Sequence, residues 1–513
     1  MVQWIKDAIN LCVQAPDMEE IDIKQNFEVL EKRYNLFKEH EKLEISNTLR
    51  TSFMSRDLVY ICSWLCTSVK SEYFQKDLMY ALLSGEFTTD ELIMLIVQTR
   101  IFIEGMWGEK FILQKKTIKQ LKDELKINLP YNEINNRNQK EIVIITEQIL
   151  NMYHAPTRIV LETIRVLIKI GYNVTVFICP SNKGLPIDVW AGPRGVMYSL
   201  KGIRDEEWVL IPYKDIQIKS CQFELEGDYI SKYKKMLHFI NIINPIFVYN
   251  MGMINPIADL AGIFTTVVSQ GMTQEYPFSV AEIVMKAQLE DEDKERMYNE
   301  FLGEEQKKIC MDKTFPVVFD DGGEKCYRDM YGIGEDEFVI AIVGSRLDQE
   351  IDNEFLGLMK NISERADNVS FAIIGEIKEI QEKVDVVLGN KVHWLGFCKN
   401  LINVYGIVDL YMNPKRIGGG WSSAMAIRAG VPVITLPDCD VALWVGEEFV
   451  VDSYTDMLDN VVRYASDSDY YNCKKNSVLV KNSQSSEQEI TDYVVEKINK
   501  IYEAMEVDYH VTI

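Results

Sequence analysis

Three consecutive glycines, Gly418-Gly419-Gly420, stand between a hydrophobic run, Val408-Asp409-Leu410-Tyr411-Met412, and a segment of helical composition at 424–429. That segment stops at Gly430, and Val431-Pro432 leads into Val433-Ile434-Thr435. The order strand, glycine turn, helix, glycine stop, strand allows few folds other than one unit of a parallel α/β sheet. Glycine lets the backbone turn tightly and approach a ligand closely. The N–H groups that open the following helix, with its dipole behind them, favour an anion. Lys415 and Arg416 lie just upstream and add positive charge, so a nucleotide diphosphate suits this cradle.

The rest of the composition bounds the context. A chain of 513 residues holds about three domains of ordinary size. A formal charge of −23 argues against a nucleic-acid-binding surface, though not against a local basic pocket. No apolar stretch reaches membrane-spanning length, and Met1-Val2-Gln3-Trp4-Ile5-Lys6-Asp7 lacks the basic start and apolar core of a signal peptide. The ten cysteines form no Cys-x-x-Cys pair and the five histidines are unclustered, so no zinc site is expected. Cys62 and Cys66, one helical turn apart in an apolar segment, read as buried thiols. The expectation is a cytoplasmic protein with reduced cysteines.

Along the chain, residues 1–135 show helical spacing (Leu58, Ile61, Trp64-Leu65, Val69), with a helix start at Thr88 or Thr89 ahead of Asp90-Glu91. The polar stretch 129–138 reads as a linker. A β-branched run, Glu141-Ile142-Val143-Ile144-Ile145-Thr146, then opens a βαβ unit with a helix over 157–170, a stop at Gly171 and a strand over 174–178. Further strands are expected at 246–249 and 265–268. Residues 281–308 are densely charged and read as a solvated helix or connector. A second series begins at 338–344 and continues through 369–375, 392–396 and the glycine region, and residues 486–507 read as a closing helix. The expected division is an all-helical segment (1–135), a first Rossmann-like domain (140–315), a second (325–485) and a terminal helix and tail (486–513).

Two Rossmann-like domains with the anion cradle in the second resemble the GT-B glycosyltransferase architecture, over roughly residues 140–505. Val343-Gly344-Ser345-Arg346-Leu347-Asp348 resembles the Gly-x-Arg-Leu-Asp that opens the donor domain of such enzymes, and Asn413-Pro414 through Gly430-Val431-Pro432-Val433 resembles their donor-nucleotide loop. Many retaining members carry two glutamates across this loop, where this chain has Ile417 and Met425, and a lysine where position 351 is isoleucine. Tyr153-His154-Ala155-Pro156-Thr157 is similar instead to the His-Pro-Thr loop of the O-GlcNAc transferases. Asp438-Cys439-Asp440-Val441, Gly446-Glu447-Glu448-Phe449 and Asp452 to Met457 fall in that family's order. The bacterial adhesin N-glucosyltransferases, relatives of that group, also place a helical domain before the core.

The resemblance implies an α/β fold of GT-B type, two facing Rossmann-like domains preceded by an all-α domain. It also implies a metal-independent, inverting transferase that takes a nucleotide-diphosphate sugar, a UDP-sugar first, and needs no cofactor. The helical segment favours a protein or peptide acceptor, because helical layers offer extended surfaces for chains. Donor binding falls to Arg346, Asn413, Lys415, Gly418, Gly419, Gly420, Trp421, Ser422 and Asp440. His154 and Glu147, on the loop after the first strand, are the candidate catalytic groups. His154 would act as base or hydrogen-bond the donor, and Glu147 as a second base unless it is an ordinary surface carboxylate. Asn250, Gly252 and Asn255 would line the acceptor side. Trp421 suits a packing role as well as a platform for base or sugar, and Asp291-Glu292-Asp293 reads as a solvated face. The alternatives are a transferase for a lipid-linked or small-molecule glycan, an inactive GT-B partner of another transferase, and a sugar-nucleotide epimerase.

Overall fold

Short β-branched runs flanked by amphipathic helices build two sheets in this chain. The computed structural model describes residues 1–513 apart from 70, 104, 151–153, 181–188, 194, 196–197, 199, 225–227, 273–275, 288–291, 304, 312–314, 317–324, 399, 417, 440, 482–486 and 508–513. One compact unit comprises Met1–Phe315 with Ile490–Ile513, and the other Pro316–Glu489.

The first unit opens with helices from Val2–Gln14 to Trp107–Leu125. Thr88 caps the helix Thr89–Phe102 in a capping box with Glu91, satisfying two of its orphan N–H groups. The sheet that follows has eight strands: β1 (Asn138–Thr146), β2 (Asn173–Ile178), β3 (Trp208–Tyr213), β4 (Ile216–Gln222), β5 (Pro245–Met251), β6 (Val267–Gln270), β7 (Ile283–Ala287) and β8 (Lys307–Met311). Their order is β3-β4-β2-β1-β5-β6-β7-β8, and every pair is parallel except the β3–β4 hairpin. The helices share one apolar core with this sheet, in which Trp4, Leu65 and Leu95 belong to the same cluster as Val143, Phe177 and Val248.

Three regions differ from the sequence reading. The stretch 281–308, expected as a solvated helix or connector, does contain a helix, Glu292–Phe301, but also β7 and the start of β8. Its strand pattern is masked by Lys286, which is fully buried with its ammonium about 5 Å from the rings of Tyr276 (5.1 Å) and Tyr298 (5.0 Å). The supposed linker at 129–138, though largely exposed, is tethered: Arg137 is buried and donates to the carbonyls of Asn132 and Ile246, and Asn138 already belongs to β1. The β3–β4 hairpin escaped notice because its outer strand alternates exposed and half-buried residues at a sheet edge.

The closing helix, Glu487–Ala504, packs mostly on the first unit, where Tyr502 bonds Tyr172 through their hydroxyls at 2.8 Å. Its Lys497 is fully buried, donates to Gln270 Oε1 at 3.2 Å and lies among the rings of Tyr249, Phe315 and Tyr493.

The second unit holds β9 (Phe338–Val343), β10 (Val369–Ile374), β11 (Val392–Gly396), β12 (Leu410–Met412) and β13 (Val433–Ile434), in the order β11-β10-β9-β12-β13 and all parallel. Side chains alternate between the faces of a strand, so β9 feeds two cores. Ile340 and Ile342 pack with helix residues such as Phe355, Met359 and Val461, while Val339, Ala341 and Val343 pack with Ala426, Val445 and Val478. Helices therefore cover both faces, as a doubly wound sheet requires.

Candidate functional site

In open parallel sheets, ligands bind beyond the carboxyl ends of the strands, and the glycine segment lies there, after β12. Gly418 (φ +101°) and Gly419 (φ +84°) are both left-handed, a conformation a side chain would strain. A Cβ on Gly419 would also lie 2.7 Å from Nε and Nη2 of Arg416. The helix Gly420–Arg428 starts at once, earlier than its alanine-rich composition suggested, with Gly419 as N-cap. The first-turn N–H groups of a helix have no acceptor within it. Ser422 and Ser423 turn their hydroxyls back onto the carbonyls of Gly419 and Gly420, at 2.9 and 2.8 Å.

Beneath this turn Arg416 is buried, and its guanidinium is spent inside the protein. It donates to Asn413 Oδ1 (2.9 Å), Glu350 Oε2 (2.6 Å), the Val343 carbonyl (2.7 Å) and the Tyr411 hydroxyl (2.6 Å). Asn413 is likewise fully buried, with its amide donating to Thr435 Oγ1 at 3.1 Å. Both residues thus form the floor of the loop rather than its open face. Arg346 is exposed and pairs with Glu350 at 3.2 Å; its Nη2 lies 3.4 Å from where a Cβ on Gly418 would be. Lys415 is exposed and Trp421 half-buried. Asp348 of the Gly-x-Arg-Leu-Asp segment accepts from the N–H groups of Lys378, Glu379 and Ile380, tying the loop after β10 to the end of β9. Asp440, Asp291, Tyr153 and Ile417 lie outside the described residues.

In the first unit, Glu147 follows β1 directly. It is buried, against the surface-carboxylate alternative, and accepts from the Ile254 N–H at 2.9 Å. Burial holds its carboxyl above the usual range, while the charge of Arg100 and the Ile254 bond pull the other way. Asn250, near the end of β5, and Asn255, after it, are also buried; Asn250 donates to Ser269 Oγ at 2.7 Å. His154 is the N-cap of the helix Ala155–Lys169: its Nδ1 accepts from the Thr157 N–H at 3.4 Å and meets Thr157 Oγ1 at 2.8 Å. Thr157 Oγ1 in turn accepts from the Leu150 N–H at 3.0 Å. Burial lowers the pKa of the imidazole, favouring its neutral form. With Nδ1 accepting, the ring proton belongs on Nε2, so the remaining nitrogen is a donor.

The structure therefore groups Arg346, Gly418, Gly419 and Ser422 at one sheet edge, and separately Glu147, Asn250 and His154 at another. Glu350 and Tyr411 were missed. The signal for Glu350 was its position four residues after Arg346 in a helical turn. Tyr411 looked like any strand residue.

No protein-family model and no curated protein sequence matches the chain. Solved structures do. A mutant O-GlcNAc transferase of Thermobaculum terrenum aligns over 98% of this chain and 98% of its own, with a TM-score of 0.57 at 12% identity. A glycosyltransferase involved in lipopolysaccharide biosynthesis covers 70% of this chain and 99% of its own (TM-score 0.49, 13% identity). A glycosyltransferase from Rickettsia africae covers 72% and 99% (TM-score 0.45, 11% identity). At these identities the likeness establishes the fold: α/β of GT-B type, with two Rossmann-like sheets and a helical segment ahead of them.

Proposed function

We propose that this chain is a glycosyltransferase that moves a sugar from a nucleotide-diphosphate donor to a protein or peptide acceptor, with inversion and without a metal. One observation carries the reading: two left-handed glycines open a helix at the carboxyl edge of a parallel sheet, with an exposed arginine beside them. A leaving diphosphate needs positive potential as its charge develops, and helix N–H groups with Arg346 and Lys415 supply it. The likeness to an O-GlcNAc transferase over 98% of the chain supports the same reading.

In the first unit, the Nε2–H of His154 is suited to donate to an oxygen of a bound sugar. Glu147, with its carboxyl shifted toward the range where proton transfer is effective, is then the better candidate base. A second reading, an inactive GT-B partner of another transferase, draws on Glu350, an acid placed among the cations of the donor loop. A panel of UDP-, GDP- and dTDP-sugars separates the two. An enzyme gains thermal stability from one of them and releases its nucleotide faster when acceptor protein is added. No stabilisation by any donor, and no effect of Arg346→Ala, sinks the transferase reading.

A further inference from the structure

Glu350 makes two ionic contacts of different character. Its Oε2 lies 2.6 Å from Nη1 of Arg416, and both side chains are almost fully buried, 8% and 4% exposed. Its Oε1 lies 3.2 Å from Nη2 of Arg346, whose side chain is 57% exposed. Arg416 is also fastened to Asn413, Tyr411 and the Val343 carbonyl, so its contact fixes the carboxylate in place. Breaking that buried pair would strand a charge away from water. The contact with Arg346 is weak by comparison, since its arginine is solvated and a solvated ion pair is worth roughly two- to fivefold in an equilibrium. Arg346 also stands beside Gly418, next to the helix start where an anion would be held. A bound diphosphate and Glu350 would therefore draw on the same guanidinium.

We propose that Glu350 is a positioning residue that competes with the diphosphate for Arg346. It holds the guanidinium beside the glycine turn while the site is empty and yields it when the anion arrives, with Arg416 keeping the carboxylate in register. The competition lowers affinity for the donor and, equally, for the nucleoside diphosphate left after transfer, which favours release. This inference rests on the diphosphate-binding reading of the loop.

The test measures UDP and inorganic pyrophosphate binding by calorimetry, with melting temperature alongside, in the wild type, Glu350→Gln, Arg346→Ala and the double variant. A merely structural glutamate, when neutralised, would lower stability and affinity together. The competitor predicts opposite signs: Glu350→Gln melts lower without ligand, yet binds UDP roughly two- to fivefold more tightly. The gain must vanish in the Arg346→Ala background. Should Glu350→Gln fail to fold, Glu350→Asp keeps a charge for Arg416 while shortening the reach to Arg346, and the same tightening is expected. Unchanged or weaker binding in the variant that folds, or a gain that survives Arg346→Ala, overturns the proposal. A wild type that binds neither UDP nor pyrophosphate overturns the donor reading instead.

Discussion

Because His154 Nδ1 accepts from the Thr157 N–H, removing the ring removes a helix cap together with whatever Nε2 does. The two roles separate by substitution. His154→Ala should lower stability by about 1 kcal/mol, the usual worth of an N-cap, whereas His154→Asn keeps a capping oxygen and should restore most of it. If Nε2 serves the reaction, both variants lose turnover more than donor affinity; parallel loss in kcat and KM would make the ring a binding group. Glu147 makes a second prediction. Its raised pKa keeps the carboxyl protonated to higher pH than usual, so a base at this position gives activity that rises with pH through the raised value. Glu147→Gln should remove that limb of the profile, and an unaltered limb assigns it to another group.

Among the elements, the glycine turn is the most exacting. Gly419→Ala meets both a left-handed φ and the Arg416 guanidinium, so a loss of about 2 kcal/mol or more is expected by denaturant unfolding, along with loss of UDP binding. Gly420→Ala, one residue inside the helix, carries no positive φ and should fold normally. This turn was legible in the sequence because three glycines between a strand and a helix have few other uses. The βαβ units at β1–β2 and β9–β10 were legible because strands buried on both faces read as unbroken apolar runs. β7 and the β3–β4 hairpin were not, since a buried lysine and a half-solvated edge break that rule. The same logic separates the site residues. Arg346 stands just after β9, where its motif puts it, but the buried fates of Arg416, Asn413 and Glu147 depend on contacts with residues 22 to 107 positions away, such as Glu350, Thr435 and Ile254.

At the scale of the first unit, two buried groups titrate in opposite senses. Asp259 joins the helical segment to the sheet, accepting from Gln114 (2.8 Å), the Val280 N–H (3.1 Å) and Ser279. Burial pushes its pKa up to about 7 from 3.8, so between those values the folded chain keeps a proton that the unfolded chain releases. Its contribution to stability therefore falls as pH rises from about 4 to about 7 and stays low above that. Burial pushes Lys497 down to about 7 from 10.5, so here the unfolded chain holds the extra proton and stability climbs as pH rises from about 7 to about 10.5. The two together predict a stability minimum near neutrality, each arm on the order of a few kcal/mol. Asp259→Asn should flatten the acid arm and Lys497→Met the alkaline one, read by melting temperature across pH. If both variants keep the wild-type profile, other groups govern it.

The return of the helix Glu487–Ala504 to the first unit has a bearing on how the protein is made. A ribosome delivers the helical segment and the first sheet, then the whole second unit, and only afterwards the residues that cover Tyr249, Gln270 and Tyr172. The body begun first is thus completed last, and vectorial synthesis leaves part of its surface uncovered while some 170 further residues are translated, ~10–30 s at ordinary elongation rates. That interval is when a holdase chaperone would have most to bind.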